Sequence, residues 1–199
     1  LINLLASGGT SKVYLAKHLV LNDYWVIKII DKNVKYINIH PAINEKNILS
    51  HIRHLCIPRI IDMFEDDQYF YIVEDFFEGE TLKAILERVG IISYQNVICW
   101  ATEICKILLY LHQLKPNPII YMDLKPTNII LNKDNTIHLI DFGAAVHCNE
   151  KYIVSDRAVG TIGYAAPEQK GGKKIDLRVD IYSLGVVMHQ LLSGINPQM

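Results

Sequence analysis

The side chains best suited to chemistry are concentrated between Tyr121 and Gly143: Asp123, Lys125 and Asn128 fall within six positions, and Asp141 follows an apolar run shortly after. Pro126 interrupts any regular helix, so the spacing predicts a loop that presents polar groups. Residues 129–131 and 137–140 read as two short strands, joined by a Lys133-Asp134-Asn135 turn whose Asp and Asn tolerate a tight backbone. A hairpin this short returns the chain on itself, which brings Asp123, Asn128 and Asp141 to one end of it. Two oxygen ligands beside a further carboxylate suit Mg²⁺, which binds a few protein oxygens together with substrate phosphates. Singly, each residue is also what a solvated surface loop contains; the joint pattern carries the reading.

The elements that must position these groups lie on both sides. Near the start, Leu5-Ala6-Ser7-Gly8-Gly9-Thr10-Ser11-Lys12-Val13 reads as strand, small-residue turn, strand. Small residues let backbone N–H groups approach a phosphate, and Val13 can pack on a flat base; Gly-Gly between strands is equally what an ordinary hairpin turn contains. Residues 25–30 read as a buried strand carrying one charge, Lys28, which is costly to bury alone. After Pro41, a first-turn residue, a helical period places Glu45, Leu49 and Ile52 on one inward stripe. Glu45 can then pair with Lys28; the alternative is a lysine that snorkels to solvent and a glutamate at the helix edge.

Two strands follow, 60–64 and 69–73, and residues 74–79 break their pattern. Thr81 caps one helix, and Ser93 caps a long apolar one reaching about His112, with Trp100 as a packing residue. Residues 144–159 show no periodicity and predict a mobile loop. Asp180 opens a last helix, apolar nearly all round and therefore expected to be buried, with Met188 in its packing.

With 199 residues, half of them hydrophobic, the chain can bury a core for one domain or two lobes. A net charge of −1 supplies no basic field for nucleic acid. Cys56, Cys99, Cys105 and Cys148 form no C-x-x-C pair or regular framework, which fits a reducing, cytosolic setting. His51 and His54, three apart, read as helical neighbours that could share a metal, but no further ligands stand at useful spacing. No apolar run reaches the ~20 residues that span a bilayer, and no signal peptide opens the chain. Beginning without Met and ending soon after Gly194 and Pro197, the sequence reads as a fragment.

Tyr121-Met122-Asp123-Leu124-Lys125-Pro126-Thr127-Asn128 and Asp141-Phe142-Gly143 resemble the catalytic loop and metal-binding tripeptide of protein kinases. Ala6 to Val13 is similar to the family's Gly-rich loop with only the middle glycine kept, as Gly8, and Gly160-Thr161-Ile162-Gly163-Tyr164-Ala165-Ala166-Pro167-Glu168 resembles the end of its activation segment. The resemblance implies an α+β, bilobal protein-kinase-like fold, with a β-rich lobe over 1–77 and a helical lobe over 78–199 that is truncated at the chain end. It implies ATP and Mg²⁺ as cofactors, and a protein substrate with a serine or threonine hydroxyl, since Lys125 and Thr161 match the serine/threonine branch. Asp123 would be the catalytic base, Lys125 would steady the transferring phosphoryl group, and Asn128 and Asp141 would hold the metal. Lys28, paired with Glu45, would grip the α- and β-phosphates. Backbone groups of Glu74 and Phe76 would meet the adenine edge, with Val26 as roof, Ile130 as floor and Val73 at the back; residues 5–13 would cover the phosphates. Asp180 would hold the catalytic loop in place. Glu168 would be buried and paired with an arginine further along. Met122 stands where the family places the arginine that receives an activation-segment phosphate, so it is expected to pack inward, with activity little dependent on that phosphate.

The Tyr-x-Asp form and the Tyr-Ala-Ala-Pro-Glu-Gln run are similar to bacterial, Hanks-type members. No nucleic-acid partner is implied, and the setting would be the cytoplasm, either as a free protein or as the cytosolic part of a membrane-anchored one. Two other readings stand beside this one. A pseudokinase scaffold is disfavoured because Lys28, Glu45, Asp123, Asn128 and Asp141 are intact, and a small-molecule phosphotransferase is disfavoured by the Ala-Pro-Glu segment.

Overall fold

Strand-forming residues near the N-terminus build five antiparallel strands, β1 (Asn3–Ser7), β2 (Ser11–Lys17), β3 (Tyr24–Asp31), β4 (Ile60–Glu65) and β5 (Tyr69–Asp75), in spatial order β1-β2-β3-β5-β4. The structure, a computed structural model, describes residues 1–7, 11–32, 40–148, 152–155 and 158–198. Leu1–Phe77 form one unit, which also holds helix α1 (His40–Leu49), and Glu78–Met199 form a second.

Register decides which side chains of the sheet share a face. Directly opposed residues of antiparallel strands point the same way. Val13 opposes Lys28, Leu15 opposes Val26, and Lys28 opposes Ile72. With a period of two along each strand, Val13, Leu15, Val26, Lys28, Ile72 and Glu74 therefore line one face. A bulge in β1 between Leu4 and Ala6 sets Ala6 opposite Val13.

Three local expectations change in this unit. Strand β5 runs through Asp75 instead of stopping at Val73, because Glu74 and Asp75 still pair with Val26 and Trp25. Strand β3 is half-buried throughout its apolar run, not buried. Helix α1 ends at Leu49, so Ile52, still buried, lies beyond it, and so do His51 and His54. Each histidine is engaged locally: His51 Nδ1 lies 2.8 Å from the Asn47 carbonyl, and His54 Nδ1 accepts the Cys56 N–H at 3.1 Å. Burial lowers the pKa of His54, which favours the neutral form.

The second unit begins with β6 (Glu80–Thr81), α2 (Leu82–Val89) and α3 (Tyr94–Gln113). Both helices start on a side-chain cap: Thr81 Oγ1 accepts the Ala84 N–H at 3.1 Å, and Ser93 Oγ accepts that of Asn96 at 3.4 Å. Along α3, Val97, Trp100, Ala101, Ile104, Ile107, Leu108 and Leu111 form the buried stripe, which recurs every three or four residues with adjacent pairs at Trp100-Ala101 and Ile107-Leu108. Trp100 also donates from Nε1 to Asn135 Oδ1 at 3.1 Å. Next come β7 (Ile119–Ile120), a 3₁₀ turn (Pro126–Asn128), β8 (Ile129–Leu131), β9 (Ile137–Leu139), β10 (Val146–His147), β11 (Ile153–Val154), β12 (Lys174–Ile175) and α4 (Arg178–Ser193). Strands β6, β8 and β9 form one sheet, β7 pairs with β10, and β11 pairs with β12. Gly79 lets the chain lie against β8, for a Cβ there would collide with the Leu131 carbonyl oxygen.

Within the stretch 144–159, the described residues include β10 and β11, each paired with a strand of this unit, while residues 149–151 and 156–157 lie outside the described residues. Helix α4 is not buried all round either. Val179, Asp180, Ser183, Leu184, Val187, Gln190 and Leu191 face inward, Met188 is half-buried, and Ile181, Tyr182 and Leu192 are exposed. The buried polar groups of α4 are answered: Ser183 Oγ donates to the Tyr164 carbonyl at 2.9 Å, and the Tyr164 hydroxyl donates to Gln190 Oε1 at 2.5 Å. Glu168, expected to be buried, is half-buried and sits in the field of Arg178, whereas its neighbour Gln169 is buried. Among the described residues, no helix is long and apolar enough to cross a membrane.

Candidate active site

In the helical unit the site is built outward from Asp180. This carboxylate, wholly buried in the first turn of α4, accepts the N–H of Tyr121 at 2.9 Å on Oδ2 and that of Met122 at 2.9 Å on Oδ1. His112 Nε2, from the end of α3, lies 2.8 Å from Oδ2. Three partners on one buried carboxylate offset its desolvation. The loop it holds needs holding, because Met122 has φ +73, a left-handed conformation that costs a residue with a Cβ about 1–2 kcal/mol. The Met122 side chain is buried among Ile120, Cys148, Ala166, Ile175 and Val179. The Tyr121 hydroxyl donates to the Ile140 carbonyl at 2.5 Å, and its ring meets Phe142 edge-on at 5.0 Å, tying the loop's start to the segment after β9.

Asp123 is gripped on both oxygens. Oδ1 accepts the Thr161 hydroxyl at 2.6 Å and Oδ2 accepts Lys125 Nζ at 2.7 Å, while the same ammonium donates to Thr161 Oγ1 at 2.8 Å. The result is a closed triangle of carboxylate, ammonium and hydroxyl, partly buried. Asn128 Nδ2 donates to the Asp123 backbone carbonyl at 3.0 Å, which directs the amide oxygen away from that carbonyl; Oδ1 takes a 3.3 Å contact from the Thr127 hydroxyl. The Asn128 carbonyl in turn accepts the Ile140 N–H at 3.0 Å, which sets Asn128 next to the residue preceding Asp141. Asp141 is exposed, at φ +65, and its Oδ1 lies 3.4 Å from the Gly143 nitrogen. The hairpin thus brings Asp123, Asn128 and Asp141 to one end, and Ile130 lies half-buried on β8 beside them in sequence. Burial lowers the pKa of His138, on β9, against a smaller opposing effect of Asp134.

In the sheet unit the ammonium of Lys28 sits between two buried carboxylates, 2.6 Å from Glu45 Oε1 and 3.2 Å from Glu74 Oε2. Sequence reasoning assigned Glu74 a backbone role and missed this contact. The signal was in the register: Lys28 opposes Ile72, so Glu74, two residues on, is a diagonal neighbour on the same face. Of the residues expected to surround a nucleotide, Ala6, Ser11, Val13 and Val26 share that face with Lys28, whereas Ser7 and Lys12 oppose each other on the far side. Leu5 is exposed at the β1 bulge, Val73 is buried, and Phe76 follows β5 with its ring 6.4 Å from that of Tyr24. Gly8, Gly9 and Thr10 lie outside the described residues. Among the described residues no group of three or more His, Cys, Asp or Glu side chains is placed to hold a metal.

Two further residues went unnoticed in the sequence: His112 on Asp180, and Gln169, whose side chain donates to the Met122 carbonyl at 2.9 Å. Their partners lie far away in the chain, so no local pattern announces them.

Comparison with known proteins bears on the whole chain. The family model described as "Protein kinase domain" matches residues 1–199. A probable serine/threonine-protein kinase of Clostridium acetobutylicum is 33% identical over 94% of this chain and 28% of the relative. The serine/threonine-protein kinase PrkC of Bacillus subtilis is 31% identical over 98% of the chain and 30% of the relative. The cAMP-dependent protein kinase type 3 of Saccharomyces cerevisiae is 32% identical over 99% of the chain and 48% of the relative. The chain spans less than half the length of each. With a family match across its full length and a loop in which Lys125, Thr161 and Asn128 all bond to Asp123, the chain belongs to the protein kinase family.

Proposed function

We propose that the protein transfers the γ-phosphoryl group of ATP to serine or threonine hydroxyls of protein substrates, with Asp123 as catalytic base. One observation carries the reading: both Asp123 oxygens are held, by Thr161 at 2.6 Å and Lys125 at 2.7 Å. A carboxylate fixed in this way is oriented to accept a hydrogen bond from an incoming hydroxyl. It takes the hydroxyl proton as the new O–P bond forms and the bond to the β-phosphate oxygen breaks, releasing ADP. Lys125 balances the charge that spreads over the moving phosphoryl oxygens. Thr161, bonded to both Asp123 and Lys125, positions the substrate hydroxyl. Lys28, supported by Glu45 and Glu74, binds the α- and β-phosphates, and backbone groups of Glu74 and Phe76 meet the adenine edge.

Membership of the family implies ATP as substrate together with a divalent metal. The donors present fit such an ion: an amide oxygen of Asn128, directed away from the Asp123 carbonyl, and the exposed carboxylate of Asp141 are hard oxygen ligands. We assign the metal as Mg²⁺, which when bound neutralises charge on the phosphates. We infer a cytoplasmic setting, with which the absence of any C-x-x-C pair among the cysteines at 56, 99, 105 and 148 is in keeping.

The test is transfer of labelled phosphate from ATP to generic protein substrates, with sugars and aminoglycosides as alternative acceptors. Asp123→Asn is expected to lower turnover by about 10²–10⁴-fold with ATP affinity retained, and Asp141→Asn to weaken Mg-ATP binding. Wild-type turnover in Asp123→Asn would overturn the assignment, and transfer to the small acceptors alone would replace the substrate class.

A further inference from the structure

The mechanism leaves open how Thr161 is kept within reach of Asp123, from a part of the chain that lies far along the sequence. Three segments meet around one buried side chain. Gln169 is 1% exposed. Its Oε1 accepts the Ala166 N–H at 2.8 Å, and its Nε2 donates to the Met122 carbonyl at 2.9 Å and to the Val159 carbonyl at 3.3 Å. Its own backbone carbonyl accepts the Val159 N–H at 3.0 Å. A single amide thus joins the residue before Asp123 to residues on either side of Thr161.

The turn between these anchor points has little slack. Gly160 has φ +92, and a Cβ there would come within 2.9 Å of both Gln169 Nε2 and the Met122 oxygen. Thr161 follows directly, and its carbonyl accepts the N–H groups of Tyr164 and Ala165 at 3.0 and 2.9 Å. On the other side, Met122 is held by its N–H on Asp180 and by its side chain in the apolar cluster. The Gln169 side chain faces two carbonyl oxygens that need a donor and one N–H that needs an acceptor. A neutral primary amide satisfies all three. A carboxylate would set negative charge against two carbonyls, and an apolar side chain would leave the groups without partners.

We propose that Gln169 is a positioning residue for phosphoryl transfer: its amide locks the turn that carries Thr161 to the loop that carries Asp123, and so fixes the distance between the two. Its side chain bonds to backbone groups of Ala166, Met122 and Val159, and acts on Asp123 and Thr161 through them. This inference rests on the kinase reading above.

The experiment measures kcat and KM for a peptide substrate and Kd for Mg-ATP, in wild type, Gln169→Glu, Gln169→Leu, Gly160→Ala and the double variant Gly160→Ala/Gln169→Leu. The Gln169 variants are expected to lose about 30-fold in kcat, the consequence of breaking one or two buried hydrogen bonds, with Kd for Mg-ATP within about twofold of wild type, since the hub spans only loop segments. Gly160→Ala should act through the same hub, so the double variant should cost no more than the worse single one. Folded Gln169 variants that keep wild-type kcat, or that lose nucleotide affinity in parallel with kcat, would overturn the proposal. If the variants do not fold, hydrogen exchange in the wild type decides: slow exchange of the Val159, Ala165 and Ala166 amides supports the hub, and fast exchange at these positions overturns it. A wild type that transfers no phosphate would instead remove the kinase reading, whereas an active wild type with kcat-neutral Gln169 variants would remove this inference alone.

Discussion

Removing the acceptors of Asp180 should release the catalytic loop while leaving most of the molecule folded. In the wild type this carboxylate satisfies the Tyr121 and Met122 N–H groups at 2.9 Å each and meets His112 at 2.8 Å, in a position with no solvent exposure. Asp180→Ala leaves two buried donors without acceptors, at about 1–3 kcal/mol each, so roughly 2–6 kcal/mol favours the open loop. Met122 adds to this, because its left-handed backbone at φ +73 relaxes when released, recovering about 1–2 kcal/mol. Asp180→Asn is milder: one amide oxygen still accepts one N–H, while the amide nitrogen opposes the other, at a cost of about 1–3 kcal/mol. Hydrogen exchange at the Tyr121 and Met122 amides should therefore accelerate in the order wild type, Asn, Ala. Peptide kcat should fall in the same order, by about 10–100-fold for Asn at 1.4 kcal/mol per decade. His112→Ala removes only one of the three partners and should fall between wild type and Asn. Unchanged protection of both amides in a folded Asp180→Ala protein would refute the reasoning, because it would mean that the loop is held by Gln169 and the apolar cluster alone.

The sheet unit offers a contrast of its own: Lys28→Met removes the ammonium from two buried carboxylates, Glu45 and Glu74, and should lower stability by about 3–5 kcal/mol, whereas Glu45→Gln leaves Lys28 beside Glu74 and should cost clearly less; equal shifts in urea midpoint would refute the shared ammonium. Burial pushes the Asp75 carboxyl up, but the side-chain and backbone hydrogen bonds and the charge of Arg59 outweigh it and hold it below its ordinary value of 3.8. A depressed carboxyl stabilises the fold in full above that ordinary value and loses the contribution as pH falls through the lower folded one, so Asp75→Asn should flatten acid unfolding below about pH 4; an unchanged acid limb would count against it. Trp100→Phe removes the bond to Asn135 Oδ1 and should cost about 1 kcal/mol in chemical denaturation; no measurable loss would mean that water replaces that bond. Met122 is buried and apolar, so treatment with phosphatase should leave peptide kcat within about twofold, and a tenfold fall would show that a basic group elsewhere receives an activation-segment phosphate.

Much of this protein was determined locally and is legible for that reason. Pro126 keeps a regular α-helix from running through the catalytic loop and opens a single 3₁₀ turn there, Thr81 and Ser93 cap helices through the next three residues, and the stretch from Ile129 to Leu139 closes on a turn with Asn135 at φ +67. A charge within an apolar strand announces that Lys28 needs a partner, and helical periodicity puts Glu45 forward. Which further groups answer these needs is a matter of register and of distant segments. Glu74 reaches Lys28 only because Ile72 is the residue opposite it, and a one-residue slip would turn that carboxylate to the other face. Strands β10 and β11 are two residues long, too short to show a period, and exist because β7 and β12 present free edges. Ile181 and Tyr182 look as apolar as Val179 and Leu184, and only the packing of α4 decides which face is covered. Gln169 and His112 carry no local signal at all: an amide or an imidazole acquires its role when long-range folding brings unsatisfied N–H, C=O or carboxylate groups against it, and burial makes those contacts costly to leave unmade.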